Sequence, residues 1–145
     1  MQPYRTTADL AGTIAAAMPS ASRREAQHPA RRSFQALRIA VNDELGVLTR
    51  LLETAPDRLN DRGRFCVITF HSLEDRLVKQ AFRTLENPCV CPRDFPVCTC
   101  GRVSAGRVLT KRSISADSQE LAGNPRSRSA RLRCFERIID RASYL

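Results

Sequence analysis

The sequence has no unbroken apolar run near the roughly 18 to 20 residues that a membrane-spanning helix needs. Its opening segment, MQPYRTTADL, has none of the apolar stretch of a secretory leader. The first absence excludes a spanning helix, and together they set the expectation of a soluble, cytoplasmic chain with no membrane partner. In a reducing cytosol the six cysteines are not a disulfide framework, which leaves metal binding or plain burial to explain them. No internal repeat or low-complexity tract is present, so solenoid architectures drop out.

What is present is enough for one domain with a real core: 145 residues, 42% of them apolar. The formal charge of +9 is uneven, with +3 over residues 1–35, zero over 36–100 and +6 over 101–145. A basic excess at the two ends suits a polyanion, because each phosphate neutralised by arginine or lysine releases condensed counterion. A solvated basic surface is the competing explanation.

Along the chain, Leu10, Ala11, Ile14, Ala15 and Met18 recur at helical spacing between Thr6 and Pro19 and predict a short amphipathic helix. Residues 20–29 predict a polar connector that ends at His28 and Pro29. From Ala30 to Thr54 one stripe of Phe34, Leu37, Val41, Leu45, Leu48 and Leu52 predicts a single long helix. Phe65 to Phe70 is a nearly continuous apolar run and predicts a strand buried on both faces, as in a parallel sheet. Ser72, with Asp75 three positions on, predicts the cap of a helix whose core face is Leu73, Leu77, Val78, Ala81, Phe82 and Leu85. After a Pro- and Cys-rich loop over 87–106, Arg107 to Thr110 can begin a strand, residues 116–122 one or two helical turns, and Asn124-Pro125 a turn. In the last strand, Arg131 to Ile138, Leu132, Cys134 and Ile138 alternate with Arg131, Arg133 and Arg137. Only the last two strands are expected to pair simply, so the 65–70 strand calls for further structure before residue 1; a stand-alone three-stranded domain is the alternative.

Four motifs carry chemistry. FHSLEDR, residues 70–76, puts His71 and Ser72 at the carboxyl end of a strand, where open sheets collect ligands and helix amino ends offer N–H groups. NPRSRSARLR, residues 124–133, sets Arg126 and Arg128 beside a Pro turn and adds Arg131 and Arg133; guanidinium forks suit phosphates and bases. HPARRSFQALR adds Arg31, Arg32 and Arg38 near the start of the long helix. Cys89, Cys91, Cys98 and Cys100 form C-x-C-P-x5-C-x-C, the ligand complement of a structural zinc site, although reduced thiols need no metal. Cys66 and Cys134 read as small apolar core residues rather than nucleophiles.

HPARRSFQALRIAVNDEL, FCVITFHSLEDRLVKQAF and NPRSRSARLR, in this order, closely resemble the bacterial 16S ribosomal RNA cytosine-N4 methyltransferase family. The resemblance covers most of residues 6–138, and the CVCPRDFPVCTCG loop is similar to a variant found in part of that family. It implies an α/β fold: the C-terminal part of a Rossmann-like class I methyltransferase sheet, residues 59–145, plus part of a helical substrate-recognition insertion, residues 1–58. It implies methylation of a 16S ribosomal RNA cytidine, C1402, with S-adenosylmethionine as donor and the small ribosomal subunit as partner. By the same resemblance His71, Ser72 and Asn124 are candidates for the cytidine pocket, and Arg31, Arg32, Arg38, Arg126, Arg128 and Arg131 for RNA contacts. The family's glycine-rich donor turn has no match, since no G-x-G occurs in the chain, so this chain is expected to be the substrate-facing half and inactive alone. A non-catalytic RNA-binding module and a small zinc-stabilised interaction domain are the competing functions.

Overall fold

The computed structural model describes residues 3–19, 28–92 and 95–139, and the predicted connector falls outside these except at His28 and Pro29. The chain divides into two compact units, Met1–Glu44 and Leu45–Leu145. No described helix is long and apolar enough to cross a membrane.

In the first unit, helix α1 (Thr7–Ala17) opens on a reciprocal cap. Asp9 N–H donates to Thr6 Oγ1 at 3.2 Å, and Thr6 N–H donates to the Asp9 carboxylate at 3.0 Å. Helix α2 (Arg31–Asn42) buries no residue, and Leu37 and Val41 on its apolar stripe are exposed. The single long helix predicted over 30–54 is two: α2 stops where Asp43 turns left-handed at φ 49°, ψ 39°, and α3 (Glu44–Thr54) restarts at once. Short polar side chains tolerate that conformation, and Glu44 in the first turn of α3 suits the helix dipole. Along the sequence the apolar spacing carries on across Asp43, so periodicity does not register a one-residue break.

The second unit holds most of α3, strand β1 (Arg64–Thr69), helix α4 (Ser72–Glu86), strand β2 (Gly106–Val108), helix α5 (Ser118–Gly123) and strand β3 (Arg131–Arg137). Single 3-10 turns lie at Pro56–Arg58 and Pro125–Ser129. The sheet order is β1-β3-β2 and both pairings are antiparallel, with Arg64 opposite Glu136, Thr69 opposite Arg131, and Arg107 opposite Glu136. Two expectations are corrected here. The described sheet is antiparallel rather than parallel, and β1 pairs with β3, which takes the centre because it bonds to a neighbour on each side. β1 is likewise not buried on both faces: Phe65 and Val67 pack on the core and Thr69 is buried, whereas Cys66 and Ile68 are exposed. Its apolar run does not alternate, so residue pattern alone carries no sign of which face lies open.

The core is Leu52 of α3, Val78 and Phe82 of α4, and Phe135 of β3. The Phe82 ring lies 5.6 Å from both Phe65 and Phe135, edge-on to the first. Each of these fully buried side chains contributes on the order of 1.5–3 kcal/mol. Gly106, at φ +156°, is required by packing: a Cβ there would meet the Glu136 carbonyl oxygen and the Phe135 ring. Ser104 ties the entry to β2, its hydroxyl donating to the Gly106 carbonyl at 2.8 Å.

Candidate functional site

β1 ends at Thr69 and α4 begins at Ser72, so residues 70–72 form a tight strand-to-helix corner. The cap of α4 is His71, one residue earlier than predicted, because His71 keeps an extended backbone at φ −141° and Ser72 is already helical. Glu74 N–H donates to His71 Nδ1 at 3.2 Å, and the Glu74 carboxylate accepts from the amides of His71 (3.1 Å) and Phe70 (2.8 Å). Accepting at Nδ1 places the proton of the neutral ring on Nε2, which lies 3.5 Å from the second Glu74 oxygen. The His71 side chain is only 8% exposed, so its ring holds the corner rigid, while Ser72 stands exposed on the first turn. Asp75, expected to close the cap, instead accepts a fork from Arg133 with bonds of 2.6 and 2.9 Å. Those hydrogen bonds hold the Asp75 carboxyl below its ordinary range despite the opposing effect of burial.

Facing this corner is the turn Pro125–Ser129, which runs into β3 through Ala130. The Asn124 carbonyl accepts from the Ser127 amide (3.0 Å) and hydroxyl (2.8 Å), which tightens the turn and leaves Arg126 and Arg128 exposed on it. Arg131, the first residue of β3, is also exposed and reaches the Ser115 hydroxyl. A cleft of about 350 Å³ lies between corner and turn, lined by Phe70, His71, Ser72 and Asp75 on one side and by Arg128, Ser129 and Arg131 on the other. Glu74 and Asp75 are already occupied, so the free positive charge of this cleft comes from Arg128 and Arg131 rather than from the helix amino end. Such a cleft presents guanidinium forks, a hydroxyl and an aromatic face, which suits an anionic ligand carrying planar rings.

The remaining sequence candidates fall elsewhere. Asn124 and Arg126 are on the turn but do not line the cleft, and Arg133 is buried beneath it in the pair with Asp75. In the first unit Arg31 and Arg32 are exposed on the opening turn of α2, which carries no acidic residue and no side-chain cap at Ala30. Arg38 grips Glu44 with bonds of 2.8 and 3.1 Å. Sequence reasoning missed Lys79, Arg83 and Lys111, which line a second cleft of about 200 Å³ over Phe82 and Val108. Arg133 lines that cleft too, so its bond to Asp75 joins the walls of both. For two of them the signal was present on α4, where Lys79 and Arg83 stand four residues apart, each one position after a core residue, Val78 and Phe82. Cys66 lies on the open side of β1, directly opposite Cys134 with their sulfurs 2.7 Å apart, and so is not the core residue that was expected. Burial and the neighbouring Cys66 push the Cys134 thiol up to about 11, away from nucleophilic use.

Fold and site thus define a mixed α/β protein that presents arginines beside a rigid strand-to-helix corner. The family model of the MraW methylases matches residues 1–138, and the chain belongs to the MraW methylase family. It is 54% identical over 133 residues to a protein of Acetivibrio thermocellus named ribosomal RNA small subunit methyltransferase H, covering 92% of this chain and 42% of that one. Proteins of the same name from Ruminiclostridium cellulolyticum (50% identical, 94% and 44% covered) and Symbiobacterium thermophilum (53%, 94% and 43%) are similar over 137 residues. The chain therefore spans less than half the length of these relatives, at 42–44%.

Proposed function

We propose that this chain is the RNA-facing portion of an S-adenosylmethionine-dependent enzyme that methylates N4 of a cytidine, C1402, in the 16S ribosomal RNA of the small subunit. The observation that carries the reading is the meeting of two motifs 58 residues apart on one cleft, Asp75 of FHSLEDR bonded to Arg133 of NPRSRSARLR, within a chain whose family is that of the MraW methylases. In this reading residues 59–145 are the C-terminal portion of a Rossmann-like class I methyltransferase sheet, and residues 1–58 are part of a helical substrate-recognition insertion. Arg126, Arg128 and Arg131 take backbone phosphates, and Arg31 and Arg32 offer a further contact surface, with Arg38 shared between RNA and Glu44. Ser72 on the cleft and Asn124 on the turn beside it are the polar groups offered to the cytidine, while His71 fixes the corner that presents Ser72. Orienting the base and excluding water are the services such residues render to transfer at an exocyclic amine.

S-adenosylmethionine supplies the methyl group when bound. The described residues do not fit a site for it: the resemblance implies a glycine-rich donor turn directly after a strand, and among the described residues no strand is followed by one. The two described glycines with positive φ are Gly101, next to Cys100, and Gly106, whose open side is filled by β3. The donor-holding groups are thus outside the described residues of this chain, and calorimetric titration of the chain alone should show no S-adenosylmethionine binding; micromolar binding would contradict this. For the RNA surface, Arg126→Ala with Arg128→Ala should weaken binding to a small-subunit RNA fragment containing the target cytidine and flatten its dependence on salt. An unchanged salt slope would remove this turn from the RNA interface.

A further inference from the structure

The segment between α4 and β2 has almost no core of its own. Val90, Phe95, Val97 and Val103 are 52–70% exposed, and the described backbone bonds here are few, among them Phe95 N–H to the Pro92 carbonyl and Ala105 N–H to the Leu85 carbonyl. Yet its four cysteines converge. Cys98 Sγ lies 3.5 Å from Cys89, 3.9 Å from Cys91 and 3.4 Å from Cys100, and all four sulfurs lie within 4.8 Å of one another. These separations are far beyond a sulfur–sulfur bond of about 2.05 Å, and all four cysteines are free. They match another geometry. With zinc–sulfur bonds of about 2.3 Å, the edge of a tetrahedron of four thiolates is about 3.8 Å.

Two local features bring the sulfurs together. Gly101, at φ +63°, turns the chain immediately after Cys100 in a conformation that a side chain would strain. Thr99 N–H donates to Cys91 Sγ at 3.4 Å, an amide-to-sulfur bond that stabilises a thiolate and joins the two Cys-x-Cys arms. Four exposed or half-buried thiols in a segment without apolar packing have no hydrophobic reason to meet.

We propose that Cys89, Cys91, Cys98 and Cys100 bind one zinc ion as a tetrathiolate, a structural site that staples the connection between α4 and β2. All four positions of the tetrahedron are filled by protein sulfur, which leaves none for water or substrate and marks the site as structural rather than catalytic. Four sulfur ligands also suit iron, but zinc carries no redox chemistry and serves where only the fold of a segment is at stake.

The test is elemental analysis of the 145-residue chain purified anaerobically without chelator, together with Cys98→Ser/Cys100→Ser. The wild-type chain should hold about one zinc, releasable by an organomercurial, and the double variant less than about a tenth of that. Replacement by cobalt(II) should give intense thiolate-to-metal charge transfer with the visible bands of a tetrahedral ion. Far-ultraviolet circular dichroism of the variant checks that the sheet, which does not contain these cysteines, still folds. Should the variant not fold, the cobalt spectrum of the wild-type chain decides the matter by itself. Wild-type protein without zinc, iron in its place, an octahedral cobalt spectrum or full zinc retention in a folded variant would each overturn the site.

Discussion

The two ends of the small sheet use arginine in opposite ways. At the end where β1 starts, Arg62, Arg64 and Arg107 converge on Glu136 at 3.5, 3.5 and 3.0 Å. The carboxylate is 5% exposed and the three guanidinium side chains 57–67%, so the cations roof a buried anion. Burial alone would push Glu136 up, but Arg107 and then Arg62 outweigh it and hold the group below its ordinary value. At the other end Arg126, Arg128 and Arg131 are exposed, and among the described residues none of the three pairs with a carboxylate. Between the ends, Arg133 is buried on Asp75. Arginine count therefore says little about binding; the presence or absence of a buried acid beside each guanidinium decides whether it is spent on the fold or available to a ligand.

That contrast can be broken at several points. Removing Arg126, Arg128 and Arg131 together should lower affinity for a small-subunit RNA fragment about 100-fold near 0.1 M salt and reduce the salt slope by about two, as three lost single-strand phosphate contacts require. The same substitutions at Arg62, Arg64 and Arg107 should leave that slope almost unchanged while lowering the melting temperature; equal slopes from the two triples would erase the distinction between the ends. Next in size, Arg133→Ala should cost about 2 kcal/mol in chemical denaturation. This is less than the loss from a fully buried pair, because Asp75 keeps 23% exposure. A cost below about 0.5 kcal/mol would show that the fork contributes no stability.

A smaller effect is expected from acid. Asp75 and Glu136 both have carboxyls held below their ordinary values. The stability they contribute is present above the unfolded-state value and lost as pH falls through the depressed folded-state value. Asp75→Asn and Glu136→Gln should each flatten the decline of stability below about pH 4, whereas changes at the exposed end should not. Smallest of all, the Arg126, Arg128 and Arg131 triple should alter stability by less than about 0.5 kcal/mol, since exposed unpaired cations support no packing. A larger loss by calorimetry would mean that the open end is also structural.

Much of this was legible from residues alone. Helix α4 was readable because Leu77, Val78, Ala81, Phe82 and Leu85 keep helical spacing, and the turn at Asn124-Pro125 because proline fixes φ. The motifs flanking the cleft were readable as chemistry but not as neighbours. Three of the readings that failed did so for reasons that can be named. The cap at His71 was hidden because a histidine ring accepts an amide less commonly than a serine hydroxyl does, and Glu74 and Asp75 both offered a carboxylate. The break at Asp43 falls on one residue, and the apolar spacing along the sequence carries on across it. The position of β3 at the centre of the sheet depends on which edges hydrogen-bond, a property of pairing that no single strand encodes.

By itself the sequence determined the family, the periodicity of the helices and the chemical inventory: the clustered cysteines, the arginine-rich turn and the histidine corner. These are local properties, set by spacing along the chain and by side-chain type. Tertiary structure alone decided which arginine meets which acid. Glu136 and Asp75 lie 29 and 58 residues from Arg107 and Arg133, their partners across the fold. The antiparallel register of β2 and β3 brings Arg107 to Glu136, and the packing of α4 against β3 brings Asp75 to Arg133; at that range burial and pairing fix what each charge can do.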